Sequence, residues 1–131
     1  MRMTKAGFTL VEIMIVVLII ALLSAIAIPN VLRARINAHD ASAQAALKTI
    51  ATAMETYLST NSVYPPNTTA LIGVTPPYLQ VDYFDGNPHG GFTFTVDTLN
   101  ASIYSVTAAP ASVNLGSGSY TITTGSVLVK N

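Results

Sequence analysis

The sequence of 131 residues contains no cysteine, no tryptophan and few charged side chains. The absence of cysteine excludes disulfide bridges, cysteine-ligated zinc and thiol catalysis. Charged residues make up 9% of the chain, whereas a typical soluble domain has about 25%. Six basic and six acidic residues cancel to a formal net charge of zero. The composition therefore does not indicate a nucleic-acid binder that works through bulk positive charge.

Apolar residues are abundant and concentrated in one run. Phe8–Ile28 reads FTLVEIMIVVLIIALLSAIAI, and Glu12 is its one charged residue. As a helix this run would be about 31 Å long, close to the thickness of the bilayer hydrocarbon. A cleaved secretory signal is the alternative, but its apolar core spans only about 7–15 residues. The run predicts one membrane span, and equal numbers of flanking Lys and Arg residues leave its orientation open.

Glu12 needs a physical explanation. A carboxylate within a membrane span costs several kcal/mol unless it is neutralised, paired or near the interface. Glu12 lies one turn from Phe8, so its side chain could reach the lipid headgroups. The alternative is a partner charge. The run holds no basic side chain, but a free amine at Phe8 would supply one if the seven preceding residues were removed.

The segment KAGFTLVE, residues 5–12, resembles the prepilin peptidase site of type IV pilins and of the related pseudopilins of type II secretion. The resemblance continues to Pro29 and covers about 30 residues. It implies cleavage between Gly7 and Phe8 on the cytoplasmic face, followed by N-methylation of Phe8. It also implies that Glu12 pairs with the terminal amine of a neighbouring subunit during assembly, and that Pro29 belongs to the same assembly segment.

The same resemblance implies partners and a location. The partners are further copies in a helical filament, the prepilin peptidase/methyltransferase, an inner-membrane assembly platform with its ATPase, and membrane lipid before assembly. Neither a cofactor nor a small-molecule substrate is implied. The chain would span the inner membrane once with a cytoplasmic N-terminus, and would later form an extracellular pilus or a periplasmic pseudopilus. Relatives usually carry glycine where this chain has Ala21. Alanine favours helix over glycine by about 1 kcal/mol, so whether residues 21–29 unwind in the filament is left open.

Beyond the span, the sequence predicts an α+β, type IV pilin-like fold: a long N-terminal helix packed on a small antiparallel sheet of three to four strands. The helix is predicted from Phe8 to Ser59 and carries an apolar stripe at helical spacing, formed by Leu47, Ile50, Met54, Tyr57 and Leu58. The predicted organisation is a leader over 1–7, a membrane or filament-core helix over 8–29, an amphipathic half over 30–60, a proline-rich connector over 61–91 and the sheet over 92–131.

The predicted strands alternate apolar and polar residues. Phe92–Val96 and Tyr104–Ala108 form one such pair, with Asp97 and Asn100 in the loop between them. Residues 120–123 and 126–129 flank Thr124-Gly125, which is typical of a two-residue hairpin turn. A sheet this small is marginal alone, so the helix is expected to supply the second layer.

Candidate chemistry elsewhere is sparse. Asp82, Asp85 and Asn87 faintly resemble a calcium loop, but the full ligand spacing and the glutamate are missing, and a turn is the preferred interpretation. The two histidines, His39 and His89, fit no Ser-His-Asp arrangement. A polar group near the membrane exit is interpreted mainly as a solvated or headgroup-facing turn, with salt bridges between subunits as the alternative; it consists of Arg33, Arg35, His39 and Asp40.

Three functions compete at this level. The first is a structural subunit of a type IV pilus, used for adhesion, twitching or DNA uptake, and it is the one we favour. The second is the major pseudopilin of a type II secretion system. The third is a membrane-anchored binding module that never polymerises, although such an anchor would have no use for Glu12. An enzyme is not expected.

Overall fold

The computed structural model describes residues 7–131, so residues 1–6 of the predicted leader lie outside the described residues. It contains α1 (Leu10–Asn61), α2 (Thr69–Ile72), β1 (Phe92–Leu99), β2 (Tyr104–Pro110), β3 (Tyr120–Thr123) and β4 (Val127–Lys130). The chain divides into two units, one ending at Ala34 and the other comprising Arg35–Asn131. Helix α1 contributes residues to both units.

Helix α1 has 52 residues, the length that the sequence predicts, but it begins and ends two residues later than predicted. It is rich in alanine and contains no glycine, which accounts for its length, and it includes Pro29. Within the second unit its buried side chains lie on one face. Leu47, Ile50 and Met54 are fully buried, and Tyr57 and Leu58 are partly buried beside them. The predicted apolar stripe is therefore confirmed.

The four strands form one antiparallel sheet in the order β1-β2-β3-β4. Phe94 pairs with Ala108, Val106 with Ile122, and Ile122 with Leu128. Alternate residues of each strand face the helix, because successive side chains of a strand point to opposite faces. The predicted α+β fold of one long helix and a small antiparallel sheet is confirmed.

The core of the second unit combines the buried face of α1 with the inner face of the sheet. Phe92, Tyr104, Val106 and Ile122 are fully buried together with the helix stripe. The proline-rich connector is fixed to the same core, since its apolar side chains Tyr64, Leu71 and Leu79 are also buried.

Two local expectations are wrong. Asp97 lies within β1, at a bulge between Val96 and Thr98, where its carboxylate accepts a 2.6 Å hydrogen bond from the Thr107 hydroxyl. The β3–β4 turn has three residues instead of two, because Thr123 pairs with Val127. Two of the three, Gly125 and Ser126, have positive φ. The connector also contains one helical turn, α2, whose Ala70 N–H donates to the side chain of Asn67 at 3.0 Å.

Glu55 connects helix α1 to the far end of the sheet. Its Oε1 accepts hydrogen bonds from the Tyr64 hydroxyl at 3.0 Å and from the Gly125 N–H at 3.2 Å. Burial and the Glu55 carboxylate together raise the pKa of Tyr64 to about 12. The Tyr64 phenol therefore stays a hydrogen-bond donor to Glu55 at any physiological pH.

Candidate processing and assembly site

The predicted processing site lies at the N-terminal end of α1, and its local structure depends on Thr9 and Glu12. The backbone N–H and the hydroxyl of Thr9 each donate to Glu12 Oε2 at 2.8 Å. The Glu12 N–H donates back to the Thr9 hydroxyl oxygen at 3.3 Å. This reciprocal pattern is a capping box, with Thr9 as the N-cap and Glu12 three residues into the helix. The Glu12 carboxylate is thus bonded within its own chain.

Gly7 and Phe8, which flank the predicted cleavage point, lie outside the helix. Phe8 is 86% exposed, and in the part of the chain that the structure describes a side chain at Gly7 would meet no atom within 4 Å. Among the described residues, the Glu12 Oε1 atom accepts no hydrogen bond. Within residues 7–131, this end therefore presents an open peptide segment and a Glu12 carboxylate that uses one oxygen in the capping box.

The apolar part of α1 has its side chains exposed. From Leu10 to Leu32 the large hydrophobic side chains are between 50% and 75% exposed. This part of the helix is long and apolar enough to cross a membrane by length and composition. Contiguous apolar surface on that scale requires lipid or protein to cover it. Pro29 lies at the end of this surface, and its ring leaves the Ala25 carbonyl without a backbone donor.

Asp40 corrects the interpretation of the polar group near the membrane exit. The sequence placed it in a solvated turn, but the side chain is buried, with 6% exposed. Its Oδ1 accepts a 3.0 Å hydrogen bond from the Ser117 N–H, and its Oδ2 accepts one from the Ser117 hydroxyl. Lys130 donates to the same hydroxyl oxygen at 2.7 Å. Asp40 therefore has a structural partner far along the chain.

His39 also has a partner within the chain. Its Nδ1 donates to the Gly90 carbonyl oxygen at 2.6 Å, and its Nε2 accepts from Arg35 Nε at 3.4 Å. Of the four polar residues in this group, only Arg33 and Arg35 are exposed as expected. The group fastens the helix to the loop before β1 and to the loop after β2.

The weak metal candidates lie in hydrogen-bonded turns. The Asp82 carboxylate accepts from the Phe84 N–H at 2.9 Å, and that of Asp85 accepts from the Asn87 N–H at 2.8 Å. His89 Nε2 donates to the same Asp85 carboxylate at 3.0 Å. The Asn87 and His89 hydrogen bonds lower the pKa of Asp85 to about 2. Within residues 7–131 no group of three or more His, Asp or Glu side chains could hold a metal ion.

Thr9 is the residue of this site that the sequence analysis did not single out. The signal was present in the sequence, because Thr-Leu-Val-Glu before an apolar run fits the capping-box pattern of Ser or Thr followed three residues later by Glu or Gln. A search for helix starts among polar residues would have placed the first helical residue at Leu10 instead of Phe8.

Two family models match the chain. Residues 2–28 match the prokaryotic N-terminal methylation motif. Residues 34–123 match the family described as type IV minor pilin ComP, DNA uptake sequence receptor, and this match covers more than half of the chain. The two matches together extend from the processing segment to the third strand.

Curated relatives are components of pili and of a secretion system. The chain is 45% identical over 74 residues to the type IV wide pilus major component PilA4 of Thermus thermophilus, covering 56% of each protein. It is 39% identical over 64 residues to the type II secretion system core protein G of Pseudomonas aeruginosa, covering 49% of this chain and 45% of the relative. It is 43% identical over 58 residues to the type IV major pilin protein PilA of Myxococcus xanthus, covering 44% and 26%. The match thus spans about half or less of each relative's length. By its fold, its N-terminal segment and these matches, the chain belongs to the type IV pilin family and is a pilin or pseudopilin subunit.

Proposed function

We propose that this protein is a structural subunit of a type IV pilus filament. It is inserted in the inner membrane with its N-terminus in the cytoplasm, cut between Gly7 and Phe8 by prepilin peptidase, methylated on Phe8 and then assembled by the platform and its ATPase. The exposed apolar part of α1, with Glu12 near its start, carries this proposal. Lipid covers this surface before assembly, and other subunits cover it in the filament.

Pairing between subunits gives Glu12 its role. Removal of residues 1–7 creates an amine at Phe8 whose charge is opposite to that of the Glu12 carboxylate. In an apolar filament core, an ion pair between subunits adds little net stability, but a mismatched register would leave both charges unpaired at a cost of several kcal/mol. The pair therefore selects the register of neighbouring helices. Removal of residues 1–7 leaves the Glu12 carboxylate, whose Oε1 accepts no hydrogen bond from residues 8–131, to pair with a second copy.

One observation supports a pilus over a pseudopilus, and a second supports self-assembly of the subunit in either filament. The chain is 45% identical to the wide-pilus component over 56% of its own length, compared with 39% over 49% for the secretion protein. From residue 61 onward the chain carries only four charged residues, Asp82, Asp85, Asp97 and Lys130. A surface with so little charge favours association of copies over a soluble monomer.

The proposal is tested by intact-mass spectrometry of filaments sheared from the surface of the native cells. We expect a dominant species that runs from methylated Phe8 to Asn131. A processed chain found only in the membrane fraction, together with loss of protein export on deletion of the gene, would replace the pilus with the pseudopilus. An unprocessed chain that begins at Met1 would contradict both.

A role in DNA uptake is the second candidate, and the match to the family described as a DNA uptake sequence receptor favours it. Residues 35–131 offer the phosphate backbone three cations, Arg35, Lys48 and Lys130, against five carboxylates. Each phosphate contact contributes about −0.9 to the slope of log K against log salt, so we expect a slope no steeper than about −3. Binding of duplex DNA to the full chain in detergent, measured from low to physiological salt, tests this. Retention of binding at physiological salt with sequence preference would support a receptor role, and loss of all binding would remove it.

A further inference from the structure

We infer that Thr9 determines how well the chain is cut by prepilin peptidase: its capping box with Glu12 stops helix α1 at Leu10 and holds the Gly7–Phe8 peptide bond outside the helix. The inference rests on the proposed processing of this chain and assigns to Thr9 a positioning role in it. Thr9 acts by fixing the backbone conformation of Gly7 and Phe8, the two residues that flank the bond that is cut.

The hydrogen bonds of the box leave little freedom in where the helix begins. An N-cap residue has non-helical backbone angles while its carbonyl already accepts a helical bond, as the Thr9 carbonyl does from the Ile13 N–H at 3.4 Å. The Thr9 hydroxyl oxygen accepts from the Glu12 N–H, and the Thr9 N–H is taken by Glu12 Oε2. A helix that continued back through Thr9 would have to break both contacts.

Most residues before Thr9 would permit a longer helix. Lys5 and Ala6 are good helix formers and Thr4 is a residue type that caps helices, whereas Gly7 disfavours helix by about 1 kcal/mol relative to alanine. Extension would make the Gly7 carbonyl accept from the Val11 N–H. That carbonyl belongs to the bond to be cut, and proteolysis acts on exposed segments that are free of such hydrogen bonds.

A purely stabilising cap makes the opposite prediction. If the box only strengthened the helix, its loss would fray the first turn, and the Gly7–Phe8 bond would be cut as fast as before or faster. If the box limits the helix, its loss buries the bond in an extended first turn and slows the cut. The sign of the change in cleavage rate therefore separates the two roles.

The test uses the full-length chain in membrane vesicles with purified prepilin peptidase. The initial rate of removal of residues 1–7 is followed by mass spectrometry. Thr9→Ser keeps the capping hydroxyl, and we expect the wild-type rate. Thr9→Ala removes the cap and favours helix, and we expect slower cleavage, by at most about fivefold, because loss of one typical N-cap changes the helix-extension equilibrium constant by about that factor. Thr9→Val removes the hydroxyl with little change in shape, and its lower helix propensity places its rate between those two.

Two further variants test the other half of the box. Glu12→Gln keeps an oxygen that can accept from the Thr9 N–H, and we expect it to be cut at the wild-type rate. Glu12→Ala removes that oxygen, and we expect slower cutting. The Cα chemical shifts of Gly7 and Phe8, measured in micelles, should move to helical values in Thr9→Ala and stay non-helical in Thr9→Ser.

The outcomes separate this inference from the function on which it rests. If the wild-type and Thr9→Ala chains are cut at the same rate, the proposed role of Thr9 is overturned, and the proposed processing of the chain is unaffected. Faster cutting of Thr9→Ala would overturn it as well. A wild-type chain that the peptidase does not cut at all would overturn the proposed function, and the inference with it.

Discussion

Asp40 on helix α1 accepts two hydrogen bonds from Ser117, 77 residues later in the chain, one from its N–H at 3.0 Å and one from its hydroxyl. Lys130, next to the last residue, donates to the same hydroxyl oxygen. The chain has no cysteine and so no disulfide. Instead, the hydrogen bonds of this buried carboxylate hold the loop between β2 and β3, and through Lys130 strand β4, to the helix.

Replacement of Asp40 should destabilise the second unit. Asp40→Ala removes the charged acceptor of two hydrogen bonds from Ser117, and we expect a loss of about 1.5–3 kcal/mol in the free energy of unfolding. Asp40→Asn retains an acceptor and should lose less. Chemical denaturation of the detergent-solubilised chain measures both variants. Lys48→Ala, an exposed change on the same helix, is the control and should stay within about 0.5 kcal/mol of wild type. An Asp40→Ala chain as stable as this control would contradict the role of the carboxylate.

The same carboxylate predicts a loss of stability in acid. Burial raises the pKa of Asp40, but hydrogen bonds from Ser117 and Tyr120 and the charge of Lys130 outweigh it, so the pKa lies below its ordinary value. The unfolded chain then binds the proton first as the pH falls. The stabilisation is complete above the unfolded pKa of about 3.9 and is lost as the pH falls through the folded pKa.

The unfolding temperature, measured between pH 2 and pH 6, tests this. We expect it to fall in acid for the wild-type chain and to fall less steeply for Asp40→Asn. Asp85→Asn is the matched control. The pKa of Asp85 is also lowered, to about 2, but its side chain is exposed, so it should contribute less than Asp40 to the loss of stability in acid. Parallel curves for wild type and Asp40→Asn would show that Asp40 does not cause the acid sensitivity.

Two glycines with similar backbone angles should differ in their tolerance of alanine. Gly125 has φ of +79° and open space around it, so Gly125→Ala should cost only the backbone strain of about 1–2 kcal/mol. Gly90 has φ of +62°, and an added Cβ would lie 2.6 Å from the Ser42 hydroxyl oxygen. Gly90→Ala should therefore cost about 1 kcal/mol more, measured by thermal or chemical unfolding. In a Ser42→Ala background the extra cost should shrink, and a cost that is unchanged there would contradict the steric explanation.

Glu12→Gln should separate processing from assembly. The amide keeps the capping box but cannot pair with the Phe8 amine of a neighbour. Loss of one member of a buried ion pair costs about 3–5 kcal/mol, so we expect at least a tenfold drop in sheared filaments, with Phe8 still processed and methylated. Ser24→Ala, an uncharged change on the same apolar helix, should give the normal yield. Normal filament yield from Glu12→Gln would refute the pairing.

Much of the fold could be predicted from local patterns. The strands were located to within a few residues because Phe92, Phe94 and Val96 alternate with threonines, a pattern that persists in any half-buried strand. The stripe from Leu47 to Leu58 gave the buried face of α1 for the same kind of reason. Deviations arose where one residue breaks the period, as at the Asp97 bulge, or where a non-glycine residue adopts positive φ, as Ser126 does at 60°.

The environments of Asp40 and His39 could not be predicted in this way. Both look like ordinary polar residues of a helix, and what buries or bonds them comes from distant loops, Ser117 for one and Gly90 for the other. Sequence patterns report the periodicity of one element, not the contacts that form when loops close over it. Thr9 is different, since its partner lies three residues away and the pattern was available.

The bonding of the last residues has a practical consequence for attaching labels. Asn131 donates from its backbone to the Ser119 carbonyl oxygen at 2.9 Å and from its side chain to Thr121 at 2.8 Å. A fluorophore, epitope or fusion partner added at this end would therefore compete with contacts that hold the final strand. Val113, in the loop after β2, is 89% exposed. It is the better position for an inserted peptide or a single reactive cysteine, and the chain has no other thiol with which such a cysteine could be confused.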